Sequence, residues 1–239
     1  MSLTVTVWNE NVHEQEDPEV AERYPDGMHG AIADFLDAAG HDAQTATLQE
    51  PEHGLDEETI AETDVLVWWS HAANHEVADE VAERVVEAVL DGMGFVPLHS
   101  GKNSKPFKRL MGTSCDIKYR HGGETERIWV VDPGHPIADG LDDHFEIPET
   151  EMYGEPYMVP EPDRLVFTSW FEGGEVFRSG CCYRRGRGKI FAFRPGHEEY
   201  PIFYQDEVLQ VLDNAVDWAA PTEGSEAVWG EVDSIEPLE

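Results

Sequence analysis

Two short apolar runs limit the kind of sheet this chain can build. Val65 to Trp69 contains no polar side chain, and Gly94 to Leu98 repeats the feature further along. A strand that is apolar on both sides must be covered on both faces, as in a parallel strand sandwiched between helices. Between the two runs, Ala73 to Leu90 carries Val77, Val81, Val85, Val86 and Val89 in helical register with acids between them, so the spacing predicts a crossover helix. Upstream, Leu3 to Trp8 reads as a strand. A helix follows from Gly27 through Ile32, Phe35 and Leu36 to a glycine stop at Gly40, then a strand from Ala43 to Leu48 and a short acid-capped helix from Asp56 to Glu62. Strands alternating with helices at this spacing predict an α/β, doubly wound parallel sheet.

After Met111 the pattern changes. Ile117 to Tyr119, Ile128 to Val131, Leu165 to Trp170 and Val176 to Tyr183 read as strands. Arg184 to Gly188 reads as a hairpin turn, Lys189 to Phe193 as a last strand, and Asp206 to Trp218 as a helix. The expectation is one α/β domain over residues 1–219 with a β-rich insertion, followed by an acidic tail, 220–239, without periodicity.

Ligands of open α/β sheets gather at the carboxyl ends of the strands, and right-handed connections bring those ends to one edge. Four of the expected strands stop at a polar segment bearing a histidine. Glu10 and His13 follow the first, His71 the third, His99 the fourth and His197 the last, while His29 opens the first helix on the same edge. Imidazoles gathered in one cleft can hold zinc or another divalent metal, whose catalytic sites use about three protein ligands and keep one position open. They can equally serve as acids and bases near neutral pH. His41 and His53 read as residues of surface loops, His121 and His144 as residues of polar stretches without a role in the site, and His135 as part of a turn between Pro133 and Pro136. Trp8, Trp68, Trp69, Trp170 and Phe171 stand at or near strand ends, where aromatic rings pack cores or stack on sugar rings.

Charge narrows the range of partners. Sixteen lysines and arginines against fifty aspartates and glutamates give −34, yet 40% of residues are apolar, so the chain folds and carries its acid on the surface. Such a surface suits concentrated salt, where screening is strong, and it argues against nucleic acid, whose phosphates require cations. Twelve of the sixteen cations fall in two segments, Lys102 to Arg120 and Arg178 to Arg194. They predict internal ion pairs or a polar, anionic ligand. There is no apolar run of about 18 residues and no basic leader, so neither a membrane span nor a signal peptide is expected and the cytoplasm is the expected compartment. Cys115, Cys181 and Cys182 show no metal spacing and are expected to be buried free thiols.

Several motifs together resemble one family. These are Trp8-Asn9-Glu10 with His13-Glu14, Tyr24-Pro25 with Gly27-Met28-His29, Trp68-Trp69 with His71, Leu98-His99-Ser100-Gly101, Tyr153-Gly154-Glu155, Trp170-Phe171 with Gly173-Gly174-Glu175, and Pro195-Gly196-His197-Glu198. Over residues 3 to 219 the chain resembles the ThuA-like, trehalose-utilisation family. The resemblance implies a flavodoxin-like sheet similar to class I glutamine amidotransferases, mostly parallel with helices on both faces. It also implies a sugar substrate related to trehalose and a divalent metal, zinc favoured, in the cleft. Amidotransferases of that fold carry a cysteine nucleophile at the strand-to-helix elbow; His99 stands there, so glutamine hydrolysis is not expected.

The catalytic residues implied are His99, His197 and Glu198, with Ser100 as a substitute nucleophile. Tyr153, Glu155, Trp69 and Lys102 would contact substrate, and metal ligands would come from His71, His99, His197, Glu10, His13 and His29. Asn74, with His75 one step on, and Lys102 stand where the family often has histidine. A non-enzymatic sugar-binding or assembly component and a Ser100-dependent hydrolase are the alternatives, and a homo-oligomer is compatible with each.

Overall fold

Nine strands among the described residues form a single sheet. They are β1 (Thr4–Asn9), β2 (Asp42–Thr47), β3 (Val65–Trp69), β4 (Gly94–Leu98), β5 (Lys118–Val130), β6 (His144–Gly154), β7 (Arg164–Phe171), β8 (Val176–Arg185) and β9 (Gly188–Phe193). The structure is a computed structural model that describes residues 2–222, 230–234 and 236. The helices are α1 (His13–Glu16), α2 (Pro18–Arg23), α3 (Gly27–Ala39), α4 (Glu57–Glu62), α5 (Asp79–Asp91), α6 (Lys105–Met111) and α7 (Asp206–Ala219).

The strand order is β2-β1-β3-β4-β9-β8-β7-β5-β6. From β2 to β9 every pairing is parallel, and from β9 to β6 every pairing is antiparallel. The expected mostly parallel sheet is therefore corrected to a mixed one. β5 to β8, the expected β-rich insertion between β4 and β9, extend the same sheet beyond β9. The physical reason lies in the connections, because hairpins replace crossover helices after α6 and short turns can join only antiparallel strands. β6 escaped the sequence reading because its acids, Glu146, Glu149 and Glu151, obscure the alternation of Phe145, Ile147 and Tyr153.

Period-two alternation divides the core between two faces. Val65, Val67 and Trp69 of β3 with Val96 and Leu98 of β4 meet α2, α3 and α7 on one side. Leu66, Trp68 and Phe95 meet α4, α5 and α6 on the other. Thus the uninterrupted apolar runs are strands covered on both faces. The crossover helix expected from Ala73 begins only at Asp79, which leaves His71 to Ala78 as a loop. The three cysteines are buried and free. Among the described residues no helix is long and apolar enough to cross a membrane. The expected tail lies largely outside the described residues, at 223–229, 235 and 237–239.

Candidate functional site

The chain turns sharply where β4 ends. His99 sits at φ +46°, in the left-handed region that few non-glycine residues adopt, and a 3₁₀ turn over His99–Asn103 leads to α6. Ser104 closes the elbow by accepting from the N–H of Phe107. Gly101 packs against β3 so closely that a Cβ there would lie 3.0 Å from the Trp68 carbonyl oxygen. After β9, Gly196 at φ +133° accepts from Trp69 Nε1 at 2.7 Å and delivers His197 beside His99. A Cβ on Gly196 would fall 2.7 Å from Phe203 Cζ, so Gly196→Ala should destabilise the protein by about 1–3 kcal/mol, read as a lowered melting temperature.

These turns bring three imidazoles together. The ring centroids of His71, His99 and His197 form a near-equilateral triangle, 5.5 Å from His71 to each of the others and 5.2 Å between His99 and His197. With Glu198 they offer four ligand atoms that all lie within 4.8 Å of one another. The hydrogen bonds fix the tautomers of the three rings, and His197 Nδ1 accepts from the Glu199 N–H at 3.2 Å, which puts its proton on Nε2. His71 Nδ1 donates to Glu198 at 2.9 Å, and His99 Nδ1 donates to the Arg194 carbonyl at 3.3 Å; in the neutral ring each leaves Nε2 as the lone-pair nitrogen. His197 Nε2 is buried without a hydrogen-bond partner, as is Glu151 Oε2. That oxygen lies 3.3 Å from His99 Nε2 and 3.8 Å from His197 Nε2.

Burial and charge pull these groups in opposite directions. Burial pushes the His197 ring down to about 3 and also lowers His99. For His71 burial again opposes the charged ring, but Glu198, Glu151 and Glu10 outweigh it and its pKa lies above the ordinary value. Burial disfavours the Glu151 carboxylate, yet the imidazoles around it outweigh that effect and hold its carboxyl below the usual carboxylate range. Glu198 is likewise held below the usual range, chiefly by His71 against the effect of burial. The centre therefore contains two carboxylates and two rings kept neutral, a donor set with the chemistry of a cation site.

A cleft of about 360 Å³ opens on this centre, lined by His71, Glu151, Tyr153, Ser100, Lys102 and His121 among others. At its mouth the Tyr119 ring is 65% exposed. A larger groove, about 510 Å³, lies at the opposite edge of the sheet between Asp64, Arg84, Gly92 and Arg187. It contains none of the strand-end histidines.

The model of a family described as ThuA, trehalose utilisation, matches residues 4–219. The chain belongs to the ThuA family. Solved structures agree on the fold. A ThuA-like protein from Parabacteroides merdae is similar with a TM-score of 0.69 and 16% identity, over 94% of this chain and 93% of that one. A cytoplasmic protein from Salmonella typhimurium follows with a TM-score of 0.62 and 12% identity, over 92% and 100% of the two chains. A β-galactosidase from Bacillus circulans sp. alkalophilus shares the fold over 92% of this chain but 32% of its own length, with a TM-score of 0.53 and 12% identity. At such identities the likeness concerns the fold alone. No curated protein matches the chain.

Within this ThuA fold the residues singled out from sequence separate into groups. His71, His99, His197 and Glu198 meet at the centre, and Tyr153, Ser100 and Lys102 line the cleft. Ser100 Oγ bonds Tyr153 Oη at 2.6 Å, and that phenol lies 3.3 Å from His99 Nε2. His13 stands beside the centre, with Nε2 3.5 Å from Glu198. Glu10 is one layer further out, where its carboxylate accepts from the N–H groups of Ala72 and Ala73 at 2.7 and 2.9 Å and so holds the loop that carries His71. His29 bonds Asn9 and lines a separate shallow groove. Trp69 is fully buried in the core. Glu155 is bound to Arg178 Nε at 2.8 Å and to the Tyr157 N–H at 2.6 Å, and it does not line the cleft.

Two further side chains join the site. Glu151 shares a strand face with Tyr153, two residues on, and His121 Nε2 lies 3.1 Å from Glu151 Oε1. His121, read from sequence as a residue of a polar stretch without a role in the site, is 54% exposed in its side chain and stands at the cleft mouth. The signal for Glu151 was the period-two rule applied backwards from Tyr153.

Proposed function

We propose that this ThuA-family chain is a divalent-metal enzyme, zinc being favoured, that acts on a sugar or sugar derivative in the cleft by acid–base chemistry. The observation that carries the reading is the histidine triangle with its unpartnered atoms. The lone-pair nitrogen of His99 faces an ionised carboxylate oxygen of Glu151 that is buried without a hydrogen-bond partner, an arrangement that a cation relieves. The ligand atoms of His71, His99, His197 and Glu198 lie within 4.8 Å of one another, against roughly 3.3 Å between ligands bound tetrahedrally at about 2.0–2.1 Å. Binding would require the side chains to draw together by that difference. Glu198, already engaged by His71, has the place of the carboxylate that orients ligating histidines from outside.

A bound divalent ion supplies Lewis-acid polarisation of a substrate oxygen. The chain's own residues do the rest. Glu151 holds His121 in one orientation at the cleft mouth, so that the ring can take a proton from, or return one to, a sugar hydroxyl. Tyr153 and Ser100 present hydroxyls to the ring substituents, and Tyr119 offers an exposed aromatic face for the apolar side of a sugar. No imidazole or carboxylate bonds Ser100 Oγ directly among the described residues, which favours Ser100 as a positioning hydroxyl over a nucleophile.

Metal analysis of protein prepared in high salt without chelator tests the reading. About one equivalent of zinc or a similar ion is expected, and chelation should abolish turnover of disaccharides followed by chromatography. A metal-free protein that converts sugars equally well overturns it. Metal and sugar binding without turnover would identify a binding component instead.

A further inference from the structure

Lys102 is the exception among the buried cations. Of the lysines and arginines, two are buried among the described residues, Lys102 at 6% exposure and Arg194 at 3%. Arg194 is paired with Glu126. Lys102 makes no ion pair among the described residues: its Nζ donates to Asn103 Oδ1 at 3.2 Å and weakly to the Cys115 carbonyl at 3.5 Å, and it lies 5.5 Å from the centre of the Tyr153 ring. Its neighbours in sequence are engaged differently, since Lys105 and Arg109 both reach Asp79. Burying an ammonium without a counterion is costly, and burial pushes Lys102 down to about 8. In a chain with fifty acidic residues, a counterion was available and is not used.

The surroundings show what would complete the site. An ammonium has three donors, and two of them are accounted for. Lys102, Ser100 and Asn103 line the cleft together. The Asn103 oxygen is taken by Lys102, which leaves its amide N–H groups as donors, and the Ser100 hydroxyl adds another. Asp116 and Glu151 line the same cleft, so a dianionic phosphate is disfavoured there more strongly than a singly charged group held directly by the ammonium.

We propose that Lys102, with the Ser100 hydroxyl and the Asn103 amide, forms a carboxylate-binding subsite, so that the substrate of this cleft is a sugar acid rather than a neutral sugar. The proposal rests on the reading of the cleft as a sugar site. Titration calorimetry on the metal-loaded protein at fixed ionic strength, with glucuronate and glucose as probes, tests both. The wild type should bind glucuronate at least about tenfold more tightly than glucose, as expected of one charge-assisted hydrogen bond. In Lys102→Met and Lys102→Gln that ratio should fall to about one, with metal content measured on the same samples. Equal affinities in the wild type, or a preference that survives both substitutions, overturns the subsite while glucose binding keeps the sugar reading. A wild type that binds neither probe overturns both.

Discussion

Replacing His99 should cost the protein the proposed metal. Of the three rings, His99 is fully enclosed and has its Nδ1 anchored on a backbone carbonyl, so its Nε2 has one direction in which to point. Loss of an outer partner of a metal ligand lowers affinity about 10–100-fold, and loss of a ligand should exceed that. His99→Ala is expected to fall below stoichiometric zinc after gel filtration, but alanine also strains a backbone at φ +46°. His99→Asn separates the two effects, because asparagine tolerates that conformation better. Both variants should lose the ion, and the asparagine variant should melt closer to the wild type. Acid should release the ion from the wild type too, since ligating imidazoles must be neutral. His71, whose pKa is raised by Glu198 and the other carboxylates against the effect of burial, is then the first ring to take up a proton. Full zinc occupancy in both His99 variants would remove His99 from the ligand set.

How much of this was legible depended on how local each signal is. Val65 to Trp69 and Gly94 to Leu98 declared themselves because covering a strand on two faces leaves no room for a polar residue. The strand-end rule then carried His71, His99 and His197 to one edge without any knowledge of distance. The rule failed for the antiparallel half, where the contributions of β5 and β6 depend on register: Tyr119 pairs with Tyr153 and Arg120 with Met152. Only that pairing brings His121 to Glu151. Glu155 shows the converse error. It follows the motif tyrosine, yet the strand ends at Gly154 and the carboxylate turns to Arg178. His53 was read as a surface residue, but its ring bridges the Leu48 carbonyl and the Ala78 N–H at 2.7 and 3.0 Å. Neither partner is close in sequence to a recognisable motif.

The second large effect should come from a residue that touches neither metal nor sugar. Arg194, at the end of β9, reaches across the antiparallel half of the sheet. It pairs with Glu126 of β5, and it donates to Thr150 Oγ1 at 3.1 Å and to the Glu151 carbonyl at 2.7 Å in β6. Ser169 of β7 completes the network by donating to Glu126 at 2.5 Å. Burial drives the Glu126 carboxyl upward, and Arg194 is the leading influence against it. Removing the guanidinium leaves a buried carboxyl facing Ser169 alone, a change that costs about 3–5 kcal/mol when one partner of a buried pair is deleted. At about 2–4 °C per kcal/mol for a chain of this size, Arg194→Met should lower the melting temperature by roughly 6–20 °C. Because most of that cost is the orphaned acid and not the lost attraction, Arg194→Met combined with Glu126→Leu should regain much of the stability. The double variant should nevertheless bind metal less well than the wild type, since Arg194 also fixes the backbone of Glu151. A single variant that melts within about 2 °C of the wild type, or a double variant no more stable than the single, would show that the pair does not hold the two halves of the sheet together.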